Sequence, residues 1–229
     1  MTLPKVALFD VDGTLFDTER LWAEALSLVF ESLGNRQPTH RLMHLTYGLA
    51  WPDAFAALSR AFPETLRDYS AQRLGHRLCV TFDELFSLAP PVIETSVALL
   101  KRLHRAGVKC AYVSGSPRQT ITTNLARCGL TPFLDAECSV PSDDMVRGKP
   151  FPEGYLLALS RCGVSAEEAV AFEDSKVGST AALAAGITRT FVCPPPSAPE
   201  QDYPSGAIRV SSWATLFTDL PEAERSVDA

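Results

Sequence analysis

The stretch "LFDVDGTLFDTE", residues 8–19, sets four carboxylates in twelve residues, two of them just past a short apolar run. Carboxylates as close as Asp10 and Asp12 repel, and a fold keeps them together where a cation, a shared proton or chemistry offsets the charge. Three later segments supply matching groups: Ser114-Gly115-Ser116, Gly148-Lys149-Pro150 and Glu173-Asp174-Ser175. Asp10, Glu173 and Asp174 would form an acidic cluster suited to a hard divalent cation such as Mg²⁺. Lys149 and that cation would then face an incoming anion. The Ser114 hydroxyl and the amides around Gly115, Gly13 and Thr14 would donate to its oxygens. An anion held in this way is best read as a phosphoryl group. Asp10 is placed to attack phosphorus, and Asp12, two residues on, to move a proton to and from the reacting oxygens. Taken singly, each residue has a plainer reading. Paired Asp residues cap turns, a lone lysine is a solvated surface group, Asp17 and Glu19 suit the entry to a helix, and Ser116-Pro117 reads as a helix start.

For these groups to meet, their segments must end strands of one sheet. Five short apolar runs read as buried strands: 5–11, 108–115, 134–140, 169–174 and 188–193. Helical patterns over 94–107, 117–129, 152–163 and 175–186 separate the later ones, with Gly107, Gly129, Gly163 and Gly186 as stops. Strands alternating with helices predict an α/β fold, a doubly wound parallel sheet, in which ligands bind beyond the carboxyl ends of the strands. Residues 18–89 break the alternation. Helical patterns over 18–34, 51–62 and 63–88 make them a helical insert after the first strand. The expected domains are therefore 1–17 with 90–229 as the α/β core, and 18–89 as the insert. Trp22 and Trp51 read as its core residues rather than a ligand platform, and "CPPPSAPEQDYPSG" (193–206) reads as an extended Pro-rich loop.

The chain has 229 residues, 46% of them apolar and 21% charged, with a formal net charge of −6. That balance argues against nucleic acid or an anionic membrane as the main partner and leaves a small anionic metabolite open. None of the six cysteines forms a C-x-x-C pair, so zinc-ribbon and thioredoxin-type sites are not expected, and buried free thiols are. No signal-peptide pattern or long apolar run is present, which points to a cytoplasmic protein. Oligomeric state is left open, with a monomer allowed.

The four motifs, "DVDGT", "VSGS", "GKPFP" and "FEDSKVG", together resemble the haloacid dehalogenase superfamily in its phosphatase branch. "DGTLFDTE" further resembles the β-phosphoglucomutase-like subgroup with a helical cap. The order agrees, at spacings of 104 residues from Asp10 to Ser114, 35 to Lys149 and 25 to Asp174. The resemblance implies Asp10 as nucleophile and Asp12 as general acid/base, with Ser114 and Lys149 on the transferring phosphoryl group. It implies Mg²⁺ on Asp10, the Asp12 backbone carbonyl and Asp174, with Glu173 a direct or water-mediated ligand. Asp12 argues against carbon–halogen cleavage, since the dehalogenases lack this second Asp. The expected activity is hydrolysis of a small phosphorylated metabolite. A β-phosphoglucomutase-type mutase is the alternative, although that group's Arg–Ser cap loop has no match in "YGLAWPDAFAALSR". A cap lysine for a phosphonatase is missing as well, since none lies between Lys5 and Lys101. A receiver-like phosphoacceptor switch and a binding protein that has lost catalysis are the non-enzymatic readings. Substrate choice would fall to the cap, with Arg20, Arg36, Arg41, Arg60, Arg67, Arg73 and Arg77 as its candidate basic residues.

Overall fold

The structure, a computed structural model, describes residues 2–47, 49, 51–88, 91–195, 198 and 200–220. Contacts divide the chain into two compact units. One comprises Met1–Phe16, Val92–Pro194 and Gln201–Ala229, and the other Asp17–Pro91 and Pro195–Glu200.

The first unit is an α/β domain. Its strands β1 (Val6–Phe9), β2 (Lys109–Tyr112), β3 (Ala169–Glu173), β4 (Thr190–Val192) and β5 (Ile208–Arg209) form one parallel sheet in the order β2-β1-β3-β4-β5. The helices α5 (Glu94–Arg105), α6 (Arg118–Arg127), α7 (Glu153–Cys162) and α8 (Lys176–Ala184) belong to the same unit. All four residues of β1 and all five of β3 are buried, as a strand covered on both faces requires. Phe9, Phe172 and Phe191 stack across successive strands, with centroids 4.6 and 5.9 Å apart, and Trp213 meets Phe172 edge-on. A second apolar layer, including Val113, Val140, Tyr155 and Ala181, packs around Leu8 and Ala171.

Two expectations about the sheet are corrected. Residues 134–140 do not form a strand. The Asp135 carboxylate accepts from the amides of Glu137 and Cys138, and the Ser139 hydroxyl donates to the Asp135 carbonyl, which bends the segment into a turn. Only a single parallel bridge, Val113 with Val140, survives beside β2. The fifth strand is instead β5, two exposed residues past the Pro-rich loop, too short for any periodicity to announce.

The second unit contains α1 (Thr18–Ser32), α2 (Thr39–Thr46), α3 (Trp51–Ala61) and α4 (Ala71–Leu88). Leu74, Leu78, Phe82 and Phe86 recur every fourth residue on α4 and are buried, as are Leu21, Ala25, Val29 and Phe30 on α1. Trp22 packs on Phe82 at 4.8 Å between centroids, and Phe30 on Phe62 at 5.1 Å. The helix α2, absent from the sequence reading, buries only Leu42 and Met43, so its apolar signal is weak. The expected helix over 63–88 begins at Ala71, after a run of turns. Trp22 and Trp51 are half-buried and line a cavity of about 160 Å³, where the reading had placed them in the core. No helix among the described residues is long and apolar enough to cross a membrane. Of the six cysteines, all free, Cys110 and Cys138 are buried and Cys79 is exposed. Residues 221–229 lie outside the described residues, as do parts of the Pro-rich loop.

Candidate active site

Parallel register brings the motif residues to the same end of the sheet. Phe9 pairs with Tyr112 on one side and Phe172 on the other, so Asp10, Ser114 and Glu173 all emerge at neighbouring strand ends. The Asp10 amide donates to the Phe172 carbonyl at 2.9 Å, and the Ser114 amide to the Val140 carbonyl at 3.0 Å. Beyond Asp10 the chain closes into a tight loop. The amides of Leu15 and Phe16 both donate to the Val11 carbonyl, and that of Gly13 to the Phe16 carbonyl. Gly13 holds φ +91°, and a Cβ there would collide with the Asp174 carboxylate, so both backbone sign and space require glycine.

Lys149 comes from the loop between a short 3₁₀ turn at Ser142–Asp144 and α7. Glu153, in the first turn of α7, braces this loop by accepting from the amides of Val146 and Arg147 at 2.6 and 3.0 Å. The Lys149 ammonium, its side chain only 11% exposed, donates to Asp10 Oδ1 at 2.5 Å and to Glu173 Oε1 at 2.6 Å. Burial acts to lower the Lys149 pKa, but Asp10 and Glu173 outweigh it and hold the ammonium above its ordinary value. Burial pushes the Asp10 carboxyl up to about 8, against the opposing pull of Lys149 and with help from Glu173 and Asp12. The Tyr155 hydroxyl, fully buried on α7, donates to Glu173 Oε1 at 2.5 Å. Burial first, and then the Glu173 charge, keep it protonated far above its ordinary range.

Asp12 is held by two hydroxyls. Its Oδ2 accepts from the hydroxyls of Ser114 at 3.1 Å and Ser116 at 2.7 Å. Thr14 is buried with its hydroxyl unpartnered, and beside Gly115 the space a side chain would fill is open. Ser175 caps α8 by accepting from the Gly178 amide, and a Cβ on Gly178 would collide with the Glu173 carboxylate. The carboxylates of Asp10, Glu173 and Asp174 each offer an oxygen within 4.8 Å of the others. Asp10 Oδ2 is buried with no hydrogen-bond partner. A buried carboxyl oxygen without a donor is costly to ionise, and a carboxyl clustered with two further carboxylates fits a hard cation with oxygen ligands, which would favour the ionised form.

The motif residues are thus gathered in two contiguous groups, Asp10–Lys149–Glu173–Asp174 and Asp12–Ser114. Three neighbours went unread. Ser116 reads as the start of a helix, and neither Glu153 nor Tyr155 is singled out by the sequence. The signal that could have found Tyr155 is its spacing, six residues after Lys149 and early in the helix that follows it.

Comparison with known proteins agrees with this arrangement. Residues 4–186 match the family model for haloacid dehalogenase-like hydrolases. A phosphorylated carbohydrates phosphatase from Thermotoga maritima is 33% identical over 189 residues, covering 82% of this chain and 84% of its own. Among solved structures, a β-phosphoglucomutase-like protein from Thermotoga maritima is similar with a TM-score of 0.74 and 28% identity, over 94% of this chain and 97% of that one. CbbY from Rhodobacter sphaeroides, solved as its D10N mutant in complex with xylulose-(1,5)bisphosphate, is similar with a TM-score of 0.71 and 25% identity, over 94% and 97%. The chain belongs to the haloacid dehalogenase-like hydrolases, in their β-phosphoglucomutase-like subgroup. Within that family it is a phosphoric monoester hydrolase.

Proposed function

We propose that the chain is a Mg²⁺-dependent cytoplasmic phosphatase that hydrolyses a small sugar phosphate or similar metabolite through an aspartyl-phosphate. The observation that carries this reading is the state of Asp10. One oxygen is held by Lys149, the other is buried with no hydrogen-bond partner, and the carboxyl lies in a cluster with Glu173 and Asp174. Bound Mg²⁺, with Asp10 and Asp174 as its side-chain ligands, would offset charge on the cluster and on the phosphoryl oxygens. Lys149 and the Ser114 hydroxyl hold that group in line with the Asp10 carboxylate. Asp10 attacks phosphorus, the phosphorus–oxygen bond to the sugar breaks, and Asp12 gives its proton to the departing oxygen. Asp12, now ionised, takes a proton from water, which attacks the aspartyl-phosphate and releases phosphate and free Asp10. Amides of the 13–14 and 115 loops would complete the phosphate cradle. Residues 1–17 and 90–229 are assigned the chemistry, and the helical segment 18–89 the choice of substrate. The phosphatase relative acts on phosphorylated carbohydrates and CbbY binds a sugar bisphosphate, by their descriptions, which supports a sugar phosphate here.

The test is phosphate release from a panel of sugar phosphates with Mg²⁺, including β-glucose 1-phosphate and glucose 6-phosphate, with Asp10→Asn as the blank. Release by the native chain and none by the blank is expected, and equal release by both would overturn nucleophilic catalysis by Asp10. The likeness to the β-phosphoglucomutase-like structure favours one second reading, a mutase using the same intermediate. Glucose 6-phosphate formed from β-glucose 1-phosphate in the same samples would identify it.

A further inference from the structure

We propose that Tyr155 is a positioning residue: its hydroxyl fixes Glu173, and through Glu173 it sets where Lys149 delivers its charge beside Asp10. The inference rests on the functional reading above and extends it to a residue outside the four motifs. Tyr155 and Glu173 are both fully buried, and the tyrosine hydroxyl sits 2.5 Å from Oε1 of the carboxylate. Lys149 donates to that same oxygen at 2.6 Å, and its ammonium lies 5.6 Å from the centre of the Tyr155 ring. Two donors on one oxygen fix both the side-chain rotamer and the direction in which Glu173 presents its charge. The other oxygen, Oε2, faces Gly178, where only a residue without a side chain leaves room, and the Ser175 hydroxyl stands 3.5 Å away. Glu173 is therefore held on both sides and has little freedom to turn. Lys149 bridges from it to Asp10 Oδ1, so a shift of Glu173 moves the ammonium relative to the attacking carboxylate.

This arrangement divides the acidic cluster by task. Glu173 serves chiefly as the counter-ion that places Lys149, and the cation falls mainly to Asp10 Oδ2 and Asp174. Removing the Tyr155 hydroxyl should then weaken the hold on a phosphate anion much more than the hold on a divalent cation. A role confined to packing would predict instead that Tyr155→Phe, which keeps the ring, changes neither.

The experiment compares the native full-length chain with Tyr155→Phe. Direct binding of inorganic phosphate is measured by calorimetry in the presence of Mg²⁺, and binding of Mn²⁺ alone by electron paramagnetic resonance. Melting curves establish that the variant is folded. The expected result is phosphate affinity lower by about tenfold, the effect of losing one charge-assisted hydrogen bond, with Mn²⁺ affinity changed by less than about twofold, within the spread usual for context effects. Unchanged phosphate affinity in the folded variant would overturn the proposal. So would equal losses of phosphate and Mn²⁺ affinity, which would make Glu173 a cation ligand first. If Tyr155→Phe does not fold, Tyr155→Met, which also lacks the hydroxyl, replaces it under the same criteria. Failure of the native chain itself to release phosphate from any ester would count against the phosphatase reading alone, because the binding comparison does not depend on turnover.

Discussion

Two hydroxyls, those of Ser114 and Ser116, converge on a single oxygen of Asp12. The acid/base proposed above must give and take its proton at one place, and these donors fix the position of its carboxylate. Asp12→Asn should therefore lose on the order of 10²–10⁴ in kcat, the range of general acid–base catalysis. The readout is steady-state phosphate release against a good substrate, and a near-native rate would remove Asp12 from its role. The aspartates, Ser114, Lys149 and the Glu173-Asp174 pair were legible because charged and hydroxylic residues at the ends of apolar runs are chemically conspicuous. Ser116 and Tyr155 were not, because their residue types suit a helix start and a hydrophobic core equally well, and only the fold shows which oxygen each one meets.

At the scale of elements, the start of α6 and the end of α7 are joined by Asp144. Its carboxylate takes both oxygens' worth of hydrogen bonds from Arg118 at 2.8 Å and a contact from Arg161 at 2.8 Å. Burial acts to raise the Asp144 carboxyl, but the hydrogen bonds from Arg118 and Arg161 outweigh it and hold the pKa below its ordinary 3.8. A folded-state value below the unfolded one means stability that is present above pH 3.8 and is lost as the pH falls through the folded value. Asp144→Asn should lower stability by about 1 kcal/mol at neutral pH. The deficit should shrink in acid, and urea unfolding at pH 7 and pH 3 checks both statements. Elements with strong apolar patterns were readable: β1, β3 and α5 fall where their apolar residues lie, and α4 does so from Ala71 onward. The segment 134–140 was misread because five apolar or small residues in seven outweighed the turn chemistry of Asp135. The helix α2 and the strand β5 were missed because one buries two residues and the other none.

For the molecule as a whole, the proposed Mg²⁺ would link activity to stability. EDTA should stop phosphate release. Mg²⁺ at about 100 times its Kd should stabilise the folded chain by about 2.7 kcal/mol. Thermal melts with and without metal read the second effect, and activity persisting in EDTA would discard the metal-dependent reading. The strand order β2-β1-β3-β4-β5 has a further consequence, which concerns time. The strand made first lies in the interior of the sheet, and its partners are encoded far downstream: Val6 pairs with Lys109 and with Ala169. At about 5–20 residues per second, β1 leaves the ribosome roughly 10–30 s before its second neighbour exists. Its four apolar residues must wait unpaired while the whole helical insert is synthesised. A nascent chain halted before residue 169 would hold Asp10 and Asp12 but no Glu173 or Asp174, so the acidic cluster cannot exist until 174 of the 229 residues have been made.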